Sequence, residues 1–292
     1  MSGIDGLSLS TQAERTEATV LDAKRNLIER ASENFKPPVF KPNTSALSRL
    51  ENWLRRFLDL QAGTGWHDLK GELAGAQGTL LDIGCGAQVY RPLVPAHVQY
   101  RGIDTIDAKE RFGYAVPDTY YFEGNDWNVP GASIDVALCT EVLEHIDAPL
   151  PFLRQIAHVL RPGGRLLLTV PFAARWHFIP YDYWRYTPSS LRMLLSEAGF
   201  DRIRVTARGN PLTVACYKVM ALPLMLLFDS GSGGAASLGK KLVGLVLLPL
   251  LGIAALIGNL TLYQDWGDDC LGYTVAARRT ADAPVTEQRW AD

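Results

Sequence analysis

The densest group of reactive side chains lies in one segment, 171-PFAARWHFIPYDYWRYTPSSL-191. It combines His177, Asp182 and Arg185 with several aromatic rings. Because these three polar groups are costly to bury without partners, we interpret them as part of a site rather than as packing alone. A histidine oriented by an aspartate can take up a proton as a general base. The aromatic residues expected to form a ligand-binding wall are Tyr181, Tyr183 and Trp184.

Two features of this segment leave alternatives open. Arg185 could hold an anionic group of a ligand, or it could pair with a carboxylate such as Asp182. The rings of Trp176, Tyr183 and Trp184 could pack against the following helix instead of lining a pocket.

The elements around this segment predict a parallel sheet that is buried on both faces. The apolar runs TLLDIG, VQYRGID, SIDVALC and GRLLLTV are short, end in turn signals and are separated by helix-length segments. The segment 171–191 follows the last of these runs, so it lies at the carboxyl edge of the sheet, where such folds bind ligands. DRIRVTARG and CLGYTVAARR are further predicted strands.

A glycine-rich turn closes the first predicted strand in LLDIGCG (80–86), and we expect it to lead into a helix. Its glycines allow a ligand to approach the backbone closely, but Val89 stands where a dinucleotide fingerprint has its third glycine. A carboxylate beside the turn would repel a pyrophosphate and favour a cationic ligand. The residues expected to contact the ligand here are Asp82, Gly84, Cys85 and Gly86.

Acidic and aromatic residues follow the next two strands. Asp104 ends the second strand, where its carboxylate could accept hydrogen bonds from both hydroxyls of a ribose. In EGNDWNVP, Asn125 or Asp126 could bind the amino group of an adenine, and Trp127 could stack on its ring.

Taken together, LLDIGCG, Asp104, NDW, DVALCTEVLEHI and VLRPGG resemble the class I S-adenosylmethionine-dependent methyltransferases, of the methyltransferase type 11 kind. The resemblance implies an α/β fold with a Rossmann-like seven-stranded sheet, an antiparallel last strand and helices on both faces. It also implies that S-adenosylmethionine is the cofactor. By position, it puts Thr140 and Glu141 under this cofactor, beside the turn and strand-end residues named above. The stretch HFIPYDYWRYT (177–187) follows an H-x-x-P-x-D-[YF]-x-R-[YF]-T pattern. In this it resembles a bacterial subgroup of these methyltransferases that is associated with glycan or cell-envelope chemistry.

For a methyl transfer to a hydroxyl, we expect His177 to be the base. Asp182 would orient it or bind sugar hydroxyls, and His145 is the second candidate. The EVLEHI segment (141–146) adds a metal alternative, because its acidic and imidazole groups recur at helical spacing. A similar ExxEH set binds Mg²⁺ in small-RNA 2′-O-methyltransferases and resembles a metal site in ubiquinone-pathway O-methyltransferases. The alternative ligands are Glu141, Glu144, His145 and His177.

The chain divides into six predicted parts. A polar N-terminal arm (1–44) precedes a helical cap (45–78), whose apolar residues predict a helix that packs on the main domain or covers its cleft. The methyltransferase core (79–210) is followed by a hydrophobic insertion (211–268), the final core strand (269–280) and a C-terminal tail (281–292).

The insertion is uncharged from Leu242 to Gln264, a stretch that is long enough to span a bilayer. Because the last strand must return to the sheet, we expect a helical hairpin that meets the membrane surface, another chain or its own domain.

The composition of the chain narrows the range of possible partners and cellular locations. The net charge of −2 provides no basic field, which argues against a nucleic-acid partner. Four separated cysteines and the absence of a secretory signal pattern predict a cytoplasmic protein, with a peripheral position at the inner membrane face as the further expectation. The predicted acceptor is a small molecule, a glycan or a lipid-linked compound. Two rival functions stay open, namely an idle methyltransferase-fold binding module and a nucleotide-binding oxidoreductase.

Overall fold

The computed structural model describes residues 45–106, 116, 118–124, 126–228, 235–264 and 267–281. Its centre is one seven-stranded sheet with the order β3-β2-β1-β4-β5-β7-β6. The strands are Thr79–Ile83, Gln99–Thr105, Thr119–Phe122, Ile134–Thr140, Leu160–Pro171, Phe200–Arg208 and Gly272–Arg279, numbered β1 to β7. The strands β1 to β5 run parallel, and β7 lies antiparallel between β5 and β6. This confirms the predicted fold class.

Six α-helices are described around the sheet. They are Ala46–Leu58, Leu60–Leu73, Pro149–Val159, Pro188–Glu197, Pro211–Phe228 and Ala235–Thr261, numbered α1 to α6. Short 3₁₀ helices cover Arg91–Leu93 and Leu143–His145. The helix expected directly after the glycine turn does not form, because Pro92 and Pro95 interrupt the segment after one 3₁₀ turn. The apolar strands pack into the main core, with Leu81, Ala137 and Leu168 fully buried.

The helix α1 begins with a capping box between Ser45 and Ser48 and ends beside α2. Its apolar face points away from the protein: Leu50 is 58% exposed and Trp53 is 57% exposed, whereas Ser48 and Asn52 are buried. The helix contacts α2 and α6, and its covering of the cleft stays a prediction. The polar stripe makes the contact, and the apolar one is left uncovered.

The helices α5 and α6 form the predicted apolar hairpin before the last strand. Its base packs in a second core, where Met220 and Ala255 are buried beside Leu60 of α2. Asn210 ties the two ends together, because its side-chain amide donates to the carbonyls of Thr261 (2.7 Å) and Gln264 (2.9 Å). Both helices are long and apolar enough to cross a membrane, and most of their surface is uncovered.

The predicted N-terminal arm, residues 1–44, lies outside the described residues, as do the hairpin connection 229–234 and the tail from residue 282.

Candidate active site

The glycine turn at the end of β1 has the backbone shape that close ligand approach requires. Gly84 has φ +68° and Gly86 has φ +48°. A Cβ atom at Gly84 would come within 2.5 Å of the side chain of Val142, so any other residue here would be strained. Cys85 between them is buried, and burial raises the pKa of its thiol, so it has the character of a packing residue.

Asp82 lies beneath this turn and is 2% exposed. The hydroxyl of Tyr100 donates to one carboxylate oxygen at 2.6 Å, and the other oxygen has no hydrogen-bond partner among the described residues. Burial raises the pKa of Asp82 to about 7, against the opposing effect of the Tyr100 hydrogen bond. An uncompensated carboxylate under a glycine turn fits a cofactor that carries a positive charge. The sequence of β2 did not predict that Tyr100 would donate a hydrogen bond to Asp82.

Asp104 stands at the end of β2, directly opposite the turn. Its carboxylate accepts hydrogen bonds from the backbone amides of Gly86 (2.9 Å) and Thr105 (2.8 Å), so it joins the turn to the strand end. Burial raises the pKa of this carboxyl, and the two backbone hydrogen bonds lower it in part. Asp104 thus lies at the end of β2, and its binding of the ribose stays a prediction.

The predicted adenine region is only partly described. Asn125 lies outside the described residues, and Asp126 is exposed, with its carboxylate accepting from the amide of Asn128. Trp127 is 3% exposed and packs its ring against Phe152 at 5.6 Å between ring centres. Its indole belongs to the main core and has no free face for stacking on an adenine. Asp126 is therefore the better candidate for a contact with the adenine.

Thr140 and Glu141 end β4 next to the glycine turn. Glu141 adopts φ +53°, a strained conformation for a residue with a side chain. Its carboxylate accepts from Arg208 at 2.6 Å, and Arg208 is buried and also donates to the carbonyl of Val170. Arg208 could not be predicted from the sequence, because an arginine at the end of a strand is ordinarily exposed. The ion pair directs Glu141 towards Arg208 at the end of β6.

The segment after β5 forms a tight polar cluster. His177 places its Nδ1 atom 3.1 Å from Asp182 and 3.0 Å from the carbonyl oxygen of Arg175. The guanidinium of Arg185 donates to both oxygens of Asp182, at 2.6 and 2.7 Å. Arg185 is thus the partner of a protein carboxylate, which is the second of the two alternatives that the sequence left open.

This cluster is attached to the 3₁₀ turn after β4. The backbone amide of Tyr183 donates to the carbonyl of Glu144 (2.9 Å), and the Nδ1 atom of His145 lies 2.9 Å from the carbonyl oxygen of Tyr181. These contacts bring the two candidate histidines together: the rings of His145 and His177 stand edge to face, with centres 5.0 Å apart.

Glu144 lies fully buried beneath the two histidines. Its Oε1 atom is 3.7 Å from Nε2 of His145 and 4.0 Å from Nε2 of His177, and neither oxygen has a hydrogen-bond partner among the described residues. Glu144, His145 and His177 could together hold a metal ion, with all donor atoms within 4.8 Å of one another. Glu141 is not part of this group, because its carboxylate pairs with Arg208. The four-residue ligand set predicted from the sequence is therefore reduced to three.

The aromatic residues of this segment divide into two groups. Tyr186 is buried and donates to the carbonyl of Leu143, so it belongs to the core. The rings of Tyr181, Tyr183 and Trp184 are 37%, 46% and 42% exposed, and they are available to a ligand. The indole of Trp184 also donates to the carbonyl of Ile146 at 2.9 Å, which fixes its orientation.

A family profile described as a methyltransferase domain matches residues 25–205, more than half of the chain. The chain therefore belongs to this family and is an S-adenosylmethionine-dependent methyltransferase.

Curated relatives cover only part of the chain. A ubiquinone biosynthesis O-methyltransferase from Nitrosospira multiformis is 28% identical over 180 residues, which are 51% of this chain and 73% of the relative. One from Xanthomonas euvesicatoria pv. vesicatoria is 32% identical over 111 residues, and the match spans 34% of this chain and 44% of the relative. A solved S-adenosylmethionine-dependent methyltransferase from Archaeoglobus fulgidus covers 80% of this chain and 100% of its own, at 13% identity and a TM-score of 0.48.

Proposed function

We propose that this methyltransferase acts on a hydroxyl group of an amphiphilic acceptor, such as a quinone-like or other lipid-linked compound or a glycan, at a membrane surface. The observation that carries the proposal is the His177–Asp182 pair at the carboxyl edge of β5. A hydroxyl must lose its proton during methyl transfer, whereas the cofactor itself supplies no base. An imidazole held by a buried carboxylate meets that requirement.

The residues around the glycine turn fit the cofactor. The backbone at Gly84 and Gly86 can approach it closely, Asp82 supplies negative charge, and Asp104 is placed to hold the ribose. When bound, S-adenosylmethionine supplies an electrophilic methyl group on a sulfonium ion. The protein then contributes mainly by positioning the acceptor, because in-line displacement depends on alignment of the reacting atoms.

Within the acceptor region, His177 is the proposed base. Its Nδ1 atom faces Asp182, which leaves Nε2 on the side of Glu144 and His145 to receive a proton. Arg185 keeps Asp182 ionised and in place by its two hydrogen bonds, so the carboxylate stabilises the protonated imidazole. His145 remains the second candidate, and the exposed rings of Tyr181, Tyr183 and Trp184 form the wall for a planar acceptor.

A metal-assisted form of the same chemistry has one observation in its favour. The buried Glu144 carboxylate lacks a hydrogen-bond partner among the described residues, and the Nε2 atoms of His145 and His177 lie nearby. In both rings the Nδ1 atom faces a carbonyl or carboxylate, as in histidines that bind metals. Two imidazoles and a carboxylate suit Zn²⁺, Mn²⁺ or Fe²⁺ better than Mg²⁺, which prefers oxygen ligands. A bound ion there would polarise the acceptor hydroxyl.

Two features support an amphiphilic acceptor. The relatives from Nitrosospira multiformis and Xanthomonas euvesicatoria are named for ubiquinone biosynthesis. The hairpin base also adjoins the acceptor segment, because Lys218 of α5 donates to the carbonyl of Ala173 at 2.6 Å. An apolar hairpin in the membrane would thus hold the segment close to a lipid-borne acceptor.

The test uses a phenol with an isoprenoid chain, dispersed in detergent micelles, and the same phenol without the chain. Transfer of radioactive methyl from S-adenosylmethionine is measured for the wild type, His177→Ala and His97→Ala, a surface control away from this cluster. We expect the isoprenoid chain of the phenol to raise kcat/KM about tenfold or more. We expect His177→Ala to lower kcat by about 10²-fold or more. Equal rates for wild type and His177→Ala would contradict the role of the base, and an absence of methylation of both phenols would contradict this acceptor class.

A further inference from the structure

The helix α1 presents an apolar face to solvent that no described residue covers. The exposed side chains are Leu47 (65%), Leu50 (58%), Trp53 (57%), Leu54 (48%) and Leu58 (36%). The opposite face contacts the protein through Ser48 and Asn52. A helix that packs by its polar face and exposes its leucines differs from an ordinary surface helix, which buries its apolar stripe. Among the described residues, none supplies a partner for this exposed face.

The C-terminal end of α1 contacts the helix α6 of the hairpin. The side-chain amide of Asn259 in α6 donates to the carbonyl of Phe57 at 2.9 Å, so the end of α1 is fixed against α6. Gly258 lets α6 approach the side chain of Leu60, because a Cβ atom there would come within 2.6 Å of it. Along α6, the uncovered apolar residues include Val246 (76%) and Leu260 (71%). Contiguous apolar surface that is exposed on a soluble protein marks an interaction site for another protein or a membrane.

The charges on these helices have one predominant sign. The helices α1, α5 and α6 carry six basic residues and one acidic residue, Glu51, although the whole chain has a net charge of −2. Arg49 lies on the exposed surface of α1, and Lys240 and Lys241 precede the uncharged part of α6. Basic residues beside an apolar surface favour contact with anionic lipid headgroups.

We propose that α1 and the exposed part of the hairpin form one surface, the α1–hairpin surface, which inserts into the interface of an anionic lipid bilayer. It deepens the membrane location in the proposed function by adding a second, distant segment of the chain and a preference for lipid charge. A bilayer fits because α6 offers no charged side chain from Leu242 to its end at Thr261, whereas protein interfaces combine apolar contacts with a polar rim and about ten hydrogen bonds. Trp53 and Tyr263, 57% and 64% exposed, are residue types enriched at the membrane–water interface.

The experiment measures co-sedimentation of the full-length protein with vesicles of phosphatidylcholine alone and with about 30% phosphatidylglycerol. The test variant is Leu50→Glu with Leu54→Glu, and the control is Met193→Glu, which changes an equally exposed apolar residue (63%) on α4. Because all three side chains are exposed, the variants should keep the wild-type circular dichroism spectrum and unfolding temperature. We expect the α1 variant to bind anionic vesicles about tenfold more weakly, the control to bind within about twofold of the wild type, and the wild type to prefer anionic vesicles.

Three results would overturn this inference. The first is equal vesicle affinity of the α1 variant and the wild type, and the second is no preference of the wild type for anionic lipid. The third is a dimer that forms without vesicles and depends on the apolar face of α1. The last would assign the surface to a second copy of the chain. The assay contains no methyl acceptor, so its outcome is independent of whether the phenols of the proposed function are methylated. Retained binding of the α1 variant together with loss of binding on removal of the hairpin would leave only the hairpin as the membrane contact.

Discussion

His177 has surroundings that shift its pKa in opposite directions. Burial lowers the pKa, but the hydrogen bond and negative charge of Asp182 outweigh burial, so the pKa is raised overall. For Asp182, burial raises the pKa, and the hydrogen bonds from Arg185 and His177 reverse the effect, so this carboxyl stays ionised well below its usual range. A histidine with a raised pKa is a stronger base once it is deprotonated.

This arrangement predicts a pH dependence with a definite sign. The base must be neutral before the reaction, so kcat/KM should rise as the pH rises through the pKa of His177, above the ordinary value of about 6.5. Asp182→Asn removes the charge that raises this pKa, and we expect the midpoint to move down by about one pH unit. The pH profile of kcat/KM checks it. A midpoint that stays in place, or moves up, would contradict the assignment of the pair.

The Glu144 group gives a second prediction at this scale. Burial, followed by the charge of Glu141, raises the pKa of Glu144 well above its ordinary value. If the metal-assisted form operates, Co²⁺ added to the protein should give a visible absorption band that Glu144→Gln abolishes. Glu141→Gln should retain the band, because Glu141 pairs with Arg208. Full activity in the presence of a chelator, with no cobalt spectrum, would rule the metal out.

At the scale of elements, the turn after β1 has to combine a left-handed backbone with close packing. Gly84→Ala would introduce both a strained φ and a contact of 2.5 Å with Val142. We expect the affinity for S-adenosylhomocysteine to fall at least about tenfold, with a loss of about 1–3 kcal/mol in the free energy of unfolding. Gly163→Ala is the matched control, because Gly163 has φ +76° but nothing within 4 Å of its Cβ position. Calorimetry that finds equal affinities for the two variants would contradict the role of the turn.

Some of these elements could be predicted from the sequence, and others could not. The buried strands, the glycine turn and Asp104 follow from local patterns, because apolar runs and special backbone positions leave a direct mark on the sequence. The pairing of Glu141 with Arg208 joins residues far apart in the chain, and no local pattern reveals it. The exposure of the apolar stripe of α1 could not be predicted for a related reason: the stripe predicts a helix, but it does not show which partner covers the stripe.

At the scale of the whole molecule, the hairpin and the catalytic sheet are held together at the hairpin base. Asn210 connects the two ends of the insertion, and the second core lies between the insertion and α2. The catalytic edge and the uncovered apolar surface therefore belong to one continuous body. In the proposed function, this connection would hold His177 close to a membrane that contains the amphiphilic acceptor.

The membrane location predicts a fractionation result. The wild type should sediment with cell membranes, and replacement of residues 211–268 by a short glycine–serine linker should release it into the soluble fraction. Because the second core is lost with the hairpin, the folded state of the deletion variant is checked by its binding of S-adenosylhomocysteine. Wild-type protein found entirely in the soluble fraction would contradict the location.

We propose that the methyl acceptor binds between the glycine turn and the segment 171–191. A crystal structure with S-adenosylhomocysteine bound tests it most directly. We predict that the ribose hydroxyls contact Asp104 and that the sulfur atom faces His177 and the rings of Tyr181 and Tyr183. A sulfur atom that faces away from this segment, or a protein that fails to bind S-adenosylhomocysteine in calorimetry, would contradict the account.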